Sequence, residues 1–102
     1  MRMLLIDDFR NISVDRVART FNDGIIALKD EGPWDVLYLD HDLGEQPPKD
    51  GYGIACWLER NVNHLPKQII IMSSNPVGVE NIERVLNKFY HKTGNAWIYN
   101  NT

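Results

Sequence analysis

The stretch Asp35-Val36-Leu37-Tyr38-Leu39-Asp40-His41-Asp42-Leu43-Gly44 decides how the chain is read. It begins as an apolar run of strand length and stops on Asp40, His41 and Asp42, before a loop containing Gly44, Pro47 and Pro48. A buried strand delivering acidic side chains to its carboxyl end is how open α/β sheets build their sites. Burying three ionisable groups without a partner cation or hydrogen bonds is costly, so the run is expected to end at a polar cleft.

Working outward on the amino-terminal side, Arg2 to Ile6 is a second β-type run, and it too ends on acids, Asp7 and Asp8. Asp15 to Phe21 is a further strand candidate. Only Asp8 to Val14 separates the two, whereas a parallel crossover normally needs about a dozen residues or more. The second strand therefore either runs antiparallel or is reached by an irregular crossover without a helix. Asn22 reads as an N-cap, with Phe21 stapled onto Ile26, for a helix from Asp23 to Glu31 that Gly32-Pro33 stops.

On the carboxyl-terminal side, Asp50 caps a helix from about Gly51 to Asn61, whose Ile54, Trp57 and Leu58 form a sheet-facing stripe. Cys56 lies off that stripe and reads as an inert packing residue. Gln68 to Met72 is the clearest β run, and it ends on Ser73-Ser74-Asn75-Pro76. Val79, Ile82, Val85, Leu86 and Phe89 mark another helix, placed after Gly78 and broken by Thr93-Gly94-Asn95; Ala96 to Tyr99 reads as a short edge strand. Alternating strands and helices imply a mostly parallel sheet of four to five strands. Right-handed crossovers then bring Asp7, Asp8, Asp40, His41, Asp42, Ser73, Ser74 and Asn75 to one edge.

Composition bounds the partners. The 102 residues fit one domain, 1–102, with a hydrophobic fraction of 43% typical of a folded protein. Eleven Lys plus Arg against 14 Asp plus Glu leave a net charge of −3 without a basic block, which disfavours duplex nucleic acid. The single Cys56 forms no internal disulfide, and no apolar run approaches the roughly 20 residues that span a bilayer. Met1-Arg2 leads straight into the first strand, so the expected location is the cytoplasm, away from membranes.

Carboxylates about 4 Å apart repel by roughly 4 kcal/mol at an effective dielectric of 20, so the acidic edge calls for a cation or a retained proton. Oxygen-only ligands with an open position suit Mg²⁺ or Mn²⁺, with a phosphate completing the shell. Asp7, Asp8 and Asp40 are the candidate metal ligands. His41 is of the residue type suited to acid–base work on a phosphoester, with Asp42 to orient it. Ser74, Asn75 and Gly78 supply a hydroxyl, an amide and a helix-start N–H for phosphate oxygens. The plainer readings are turn formers for Asp7 and Asp8, a loop histidine for His41, caps for Ser73 or Ser74, and a turn at Asn75-Pro76. Asp50 reads as a cap, and His64 and His91 as surface residues. The His41-Asp42 pair also suggests a helical metal-dependent phosphohydrolase, but further ligands on several helices are missing, which rules that reading out.

With these residues in place, the chain resembles a divergent response-regulator receiver: an acidic pair after the first strand, Asp40 ending the third, Asp50-Gly51 downstream and Ser73 or Ser74 after the next. More closely it is similar to the cyclic-phosphate-processing receiver-like domains, through Leu5 to Arg10 (LIDDFR), Leu39 to Gly44 (LDHDLG), Asp50-Gly51-Tyr52, and Ser74 to Gly78 (SNPVG) with Asn81. The resemblance implies a three-layer, receiver-like (flavodoxin-like) α/β fold lacking the first crossover helix. It implies a Mg²⁺-dependent phosphoesterase acting on a cyclic phosphate, with Asp40, His41 and Asp42 at the chemistry. Receivers carry a Lys after the fifth strand, whereas no Lys follows a clear fifth strand here, and His41 beside Asp40 is foreign to them. The alternatives are a phosphoacceptor or pseudo-receiver switch that binds a protein partner, and a module that binds a small phosphorylated ligand without turnover.

Overall fold

The computed structural model describes residues 1–90 and the backbone of residues 96–100. Five strands form one parallel sheet: β1 (Met3–Ile6), β2 (Arg16–Ala18), β3 (Val36–Leu39), β4 (Gln68–Met72) and β5 (Ala96–Asn100), in the spatial order β2-β1-β3-β4-β5. Three helices connect them: α1 (Phe21–Asp30), α2 (Gly51–Arg60) and α3 (Pro76–Leu86). No helix among the described residues is long and apolar enough to cross a membrane.

The open question of strand direction resolves as parallel, with Leu4 paired to Arg16 and Ile6 to Ala18. The crossover from β1 to β2 contains no helix. Hydrogen bonds to fixed partners take the place of helical ones. Met3 N–H donates to the Asp15 carboxylate at 2.7 Å, and Asp15 N–H returns to Met3 O at 3.0 Å. The Arg19 guanidinium reaches back to Asp7 O at 3.2 Å, to Arg10 O at 2.6 Å and to the Asn11 side chain. Arg19→Ala should therefore lower stability by about 2 kcal/mol, the scale for losing charged donors to partly buried carbonyls, measured as a shift of the urea midpoint with unchanged slope.

The three helical connections all step the same way across the sheet, so right-handed crossovers set α1, α2 and α3 on a single face. Strand alternation agrees. Leu4, Ile6, Leu37, Leu39, Ile69 and Ile71 lie in register and join Ala27, Leu28, Ile54, Leu58, Val79 and Ile82 in the buried core. On the opposite face Leu5 and Val36 are buried, while Met3, Tyr38, Gln68 and Ile70 are half-buried. The receiver-like sheet is thus present, with helices covering one side among the described residues.

Several boundaries differ from the sequence expectation. The second strand is three residues rather than Asp15 to Phe21, and Phe21 opens α1 instead of preceding it. The α1 cap is Thr20, whose hydroxyl accepts from Asp23 N–H at 3.1 Å, not Asn22. Phe21 N–H is taken by the Glu45 carboxylate at 2.8 Å, a long-range partner invisible to local pattern. α3 begins at Pro76 rather than after Gly78, because Asn75 caps it and Pro76 occupies the first turn, where its missing N–H costs nothing. Asp50 does cap α2, accepting from Gly53 N–H at 2.9 Å. The expected break at Thr93-Gly94-Asn95 lies outside the described residues.

Candidate active site

At the carboxyl ends of β1, β3 and β4 a cavity of about 350 Å³ is lined by Asp7, Asp8, Phe9, Arg10, Asp40, Asp42, Ser73, Ser74 and Asn75. Seven of these nine positions are polar or charged residues that the topology alone places at one edge; Arg10 and Phe9 come from the helix-free crossover. Asp7 is fully buried and Asp40 is 8% exposed, while Asp8 faces solvent.

Asp7 is held rigidly. Its Oδ1 accepts both Phe9 N–H and Arg10 N–H at 2.9 Å, a tight turn that aims the following side chains. Its Oδ2 accepts from Arg10 Nη1 at 3.1 Å. The same Nη1 donates to Met72 O at 2.9 Å and stands 3.6 Å from Asp40 Oδ1. One guanidinium therefore links the ends of three neighbouring strands. The turn leaves the Phe9 ring 84% exposed at the cavity rim.

Burial pushes the Asp40 carboxyl up to about 6, and the nearby Asp7 charge pushes in the same direction. Arg10 and the backbone N–H groups of His41 and Asp42 oppose that shift without cancelling it. The consequence for stability has a definite sign. The folded carboxyl holds its proton more tightly than the unfolded one, so the contribution is full below pH ~3.8 and is lost as pH rises through about 6. The metal-free protein should accordingly lose on the order of 1–2 kcal/mol of stability between pH 4 and pH 7 from this group, allowing for solvent in the cavity, as read by denaturation at a series of pH values.

Asp7, Asp8 and Asp40 each offer a carboxylate oxygen, all within 4.8 Å of one another. Octahedral Mg²⁺ spaces its ligand oxygens by about 3 to 4.2 Å, a range the cluster approaches. An all-oxygen donor set on a half-open cavity fits Mg²⁺ or Mn²⁺.

Two expected site residues, His41 and Gly78, are not among those lining the cavity. His41 does not line the cavity: its ring packs against Gly78, where a Cβ would collide with it, and its Nε2 lies 3.8 Å from Asp50 Oδ2. Its buried Nδ1 has no hydrogen-bond partner. Asp42 does line the cavity, but its Oδ1 accepts from Gly44 N–H at 3.1 Å, so it does not orient His41. Gly78 gives its N–H to Asn75 Oδ1 at 3.1 Å, which commits that donor to the helix cap. Ser73 is buried, with its Oγ accepting from Asn75 N–H at 3.1 Å; Ser74 is exposed at the mouth. Arg10 was not among the sequence candidates, although an Arg three residues after a strand-end Asp is the signal that would have found it. His64 stacks on Trp57 with ring centroids 5.7 Å apart, far from this chemistry in the chain, and His91 lies outside the described residues.

The profile of the family described as "Cyclic-phosphate processing Receiver domain" matches residues 2–88. No curated protein matches the chain. Two solved structures are similar in fold. A fusion carrying the yeast Spc42 trimeric coiled coil, amino acids 181–211, superposes with a TM-score of 0.65 at 18% identity, covering 96% of this chain and 65% of that one. This chain thus spans just under two thirds of the fusion's length. A CheY-like response regulator receiver domain protein from Methanospirillum hungatei JF-1 superposes with a TM-score of 0.56, also at 18% identity, over 99% of this chain and 82% of that one.

Proposed function

The chain belongs to the family of cyclic-phosphate processing receiver domains, and from that premise we propose that its acidic cavity opens the ring of a small cyclic phosphate by metal-assisted hydrolysis. The observation that carries the reading is the meeting of the Asp7, Asp8 and Asp40 carboxylates within 4.8 Å in the same cavity as Ser74 and Asn75.

Asp7, Asp8 and Asp40 would hold Mg²⁺, which when bound polarises phosphoryl oxygens and offsets the negative charge of substrate and carboxylates. Ser74 presents its hydroxyl at the mouth. Asn75 has its side-chain oxygen in the α3 cap, so its amide N–H₂ is the half that would bind a phosphate oxygen. Hydrolysis forms one bond from a water oxygen to phosphorus and breaks one ring P–O bond. Water yields a proton and the departing oxygen gains one, leaving an acyclic phosphomonoester with a free hydroxyl. Asp42, exposed on the cavity wall, would accept the proton of the attacking water. His41 would act by position, filling the space beneath the Asn75–Gly78 turn and so fixing the height of Ser74 and Asn75 over the carboxylates.

The test is ³¹P NMR of the protein with a panel of five- and six-membered cyclic phosphates, with and without Mg²⁺. Metal-dependent replacement of a cyclic resonance by that of a monoester is the expected result; a panel left intact at every metal concentration overturns the reading. A second reading, a phosphoacceptor switch, draws on the position of Asp40 at the end of β3, beside Asp7 and within 3.6 Å of the Arg10 guanidinium. It predicts an intact-mass increase at Asp40 after treatment with acetyl phosphate.

A further inference from the structure

We propose that Arg10 is a resident counter-cation that makes the site take metal and phosphate together rather than metal alone. The inference rests on the reading of Asp7, Asp8 and Asp40 as cation ligands. Arg10 Nη1 sits 3.1 Å from Asp7 Oδ2 and 3.6 Å from Asp40 Oδ1, on the two buried members of that trio. Part of the charge that would attract Mg²⁺ is therefore already neutralised, and both Asp7 oxygens are engaged by the turn or by Arg10. A divalent ion arriving alone must enter beside a fixed positive charge and compete for the same oxygens.

A phosphate changes the balance. Arg10 lines the cavity, and a guanidinium presents a planar fork of donors matched to phosphate oxygens. An anionic ligand gives Arg10 a partner of its own charge complement, releasing carboxylate oxygens to the metal. The metal, in turn, offsets the remaining charge of the phosphate. By linkage each then tightens the other's binding. Lys would supply the charge without the fork, whereas Gln removes the charge and keeps much of the length.

The test is titration with Mn²⁺, followed by electron paramagnetic resonance of the free ion, in the absence and presence of methyl phosphate, on the wild type, Arg10→Gln and Arg10→Lys. The wild type should bind Mn²⁺ weakly alone and about tenfold tighter with methyl phosphate, within the usual range of coupling between sites. Arg10→Gln should bind Mn²⁺ alone about tenfold tighter than the wild type, with methyl phosphate adding little. Arg10→Lys should keep the weak binding of metal alone. Unchanged or weaker Mn²⁺ affinity in Arg10→Gln overturns the proposal. So does a wild type whose Mn²⁺ affinity ignores methyl phosphate, a result that stands even where Arg10→Gln fails to fold. No step of the titration requires turnover, so a protein that opens no cyclic phosphate can still show the coupling, and an active one can lack it.

Discussion

Replacing Asp40 by Asn is expected to reduce Mg²⁺-dependent turnover of a cyclic phosphate about a thousandfold while making the metal-free protein more stable at pH 8. The two effects have one cause. Asp40 ends β3 almost buried, and its carboxyl is pushed up to about 6 by burial and by Asp7. Above that pH the folded protein carries a charge that its surroundings resist. Asn has the same shape without the charge, so the variant should gain on the order of 1–2 kcal/mol at pH 8 and almost nothing at pH 4, where the wild-type carboxyl is already protonated. A metal ligand lost with a stability gain is the signature of a strained functional carboxylate. Denaturation at the two pH values and initial rates by ³¹P NMR measure both halves. A variant that is inactive and destabilised at pH 8 would instead mark Asp40 as a structural residue.

Gly51→Ala should be among the most destabilising single substitutions in the chain, by about 3 kcal/mol. The first residue of α2 lies against the backbone of Asp40 and His41, its N–H donating to His41 O at 2.7 Å. A Cβ there would fall inside the van der Waals shell of the Asp40 carbonyl oxygen, and would also press on His41 Cα at 2.8 Å. These neighbours are main chain and cannot rotate away. Relief requires either moving the end of β3, and with it the Asp40 carboxylate, or withdrawing α2 from the sheet. Gly24→Ala is the control. Its Cβ would have the Ile6 side chain, not main chain, as its three nearest neighbours at 2.9 to 3.3 Å, and a helix-interior Ala recovers about 1 kcal/mol of propensity, so the net loss should be clearly smaller than for Gly51→Ala. Equal losses for the two variants in urea denaturation would refute the argument from backbone contact.

The parts of this fold that local chemistry dictates were legible before any coordinates. Gln68–Met72 is a strand at the expected residues, the end of β3 carries Asp40, and the short chain between β1 and β2 does lack a helix. The acids gathered because parallel strands share an edge, a consequence of topology rather than of any one motif. What escaped depended on direction and on distant partners. Adjacent residues at the end of a strand alternate sides, so Asp40 and Asp42 reach the cavity while His41 turns toward Gly78; reading the three as one cluster ignored that period of two. Arg10 escaped because its role arises only when Asp7 turns the chain back on itself. Thr20 outranked Asn22 as the α1 cap once Glu45, 24 residues beyond Phe21, supplied an acceptor for the Phe21 N–H.

The helix-free crossover also leaves a short edge strand directly beside the site. β2 is a three-residue edge strand, so its few ladder bonds are the natural first break in local fluctuations, well before the β1–β3–β4 centre loosens. The Asp7 N–H is bonded to Ala18 O at 3.1 Å, and Asp8, Phe9 and Arg10 follow directly. Fraying of β2 therefore removes one backbone bond from the segment that carries Asp7 and Asp8, two of the three clustered carboxylates, while the turn bonds on the Asp7 side chain and the β1–β3 pairing persist. The protection of the Asp7 amide against solvent exchange is therefore a direct gauge of how often that edge opens beneath an otherwise fixed cavity wall.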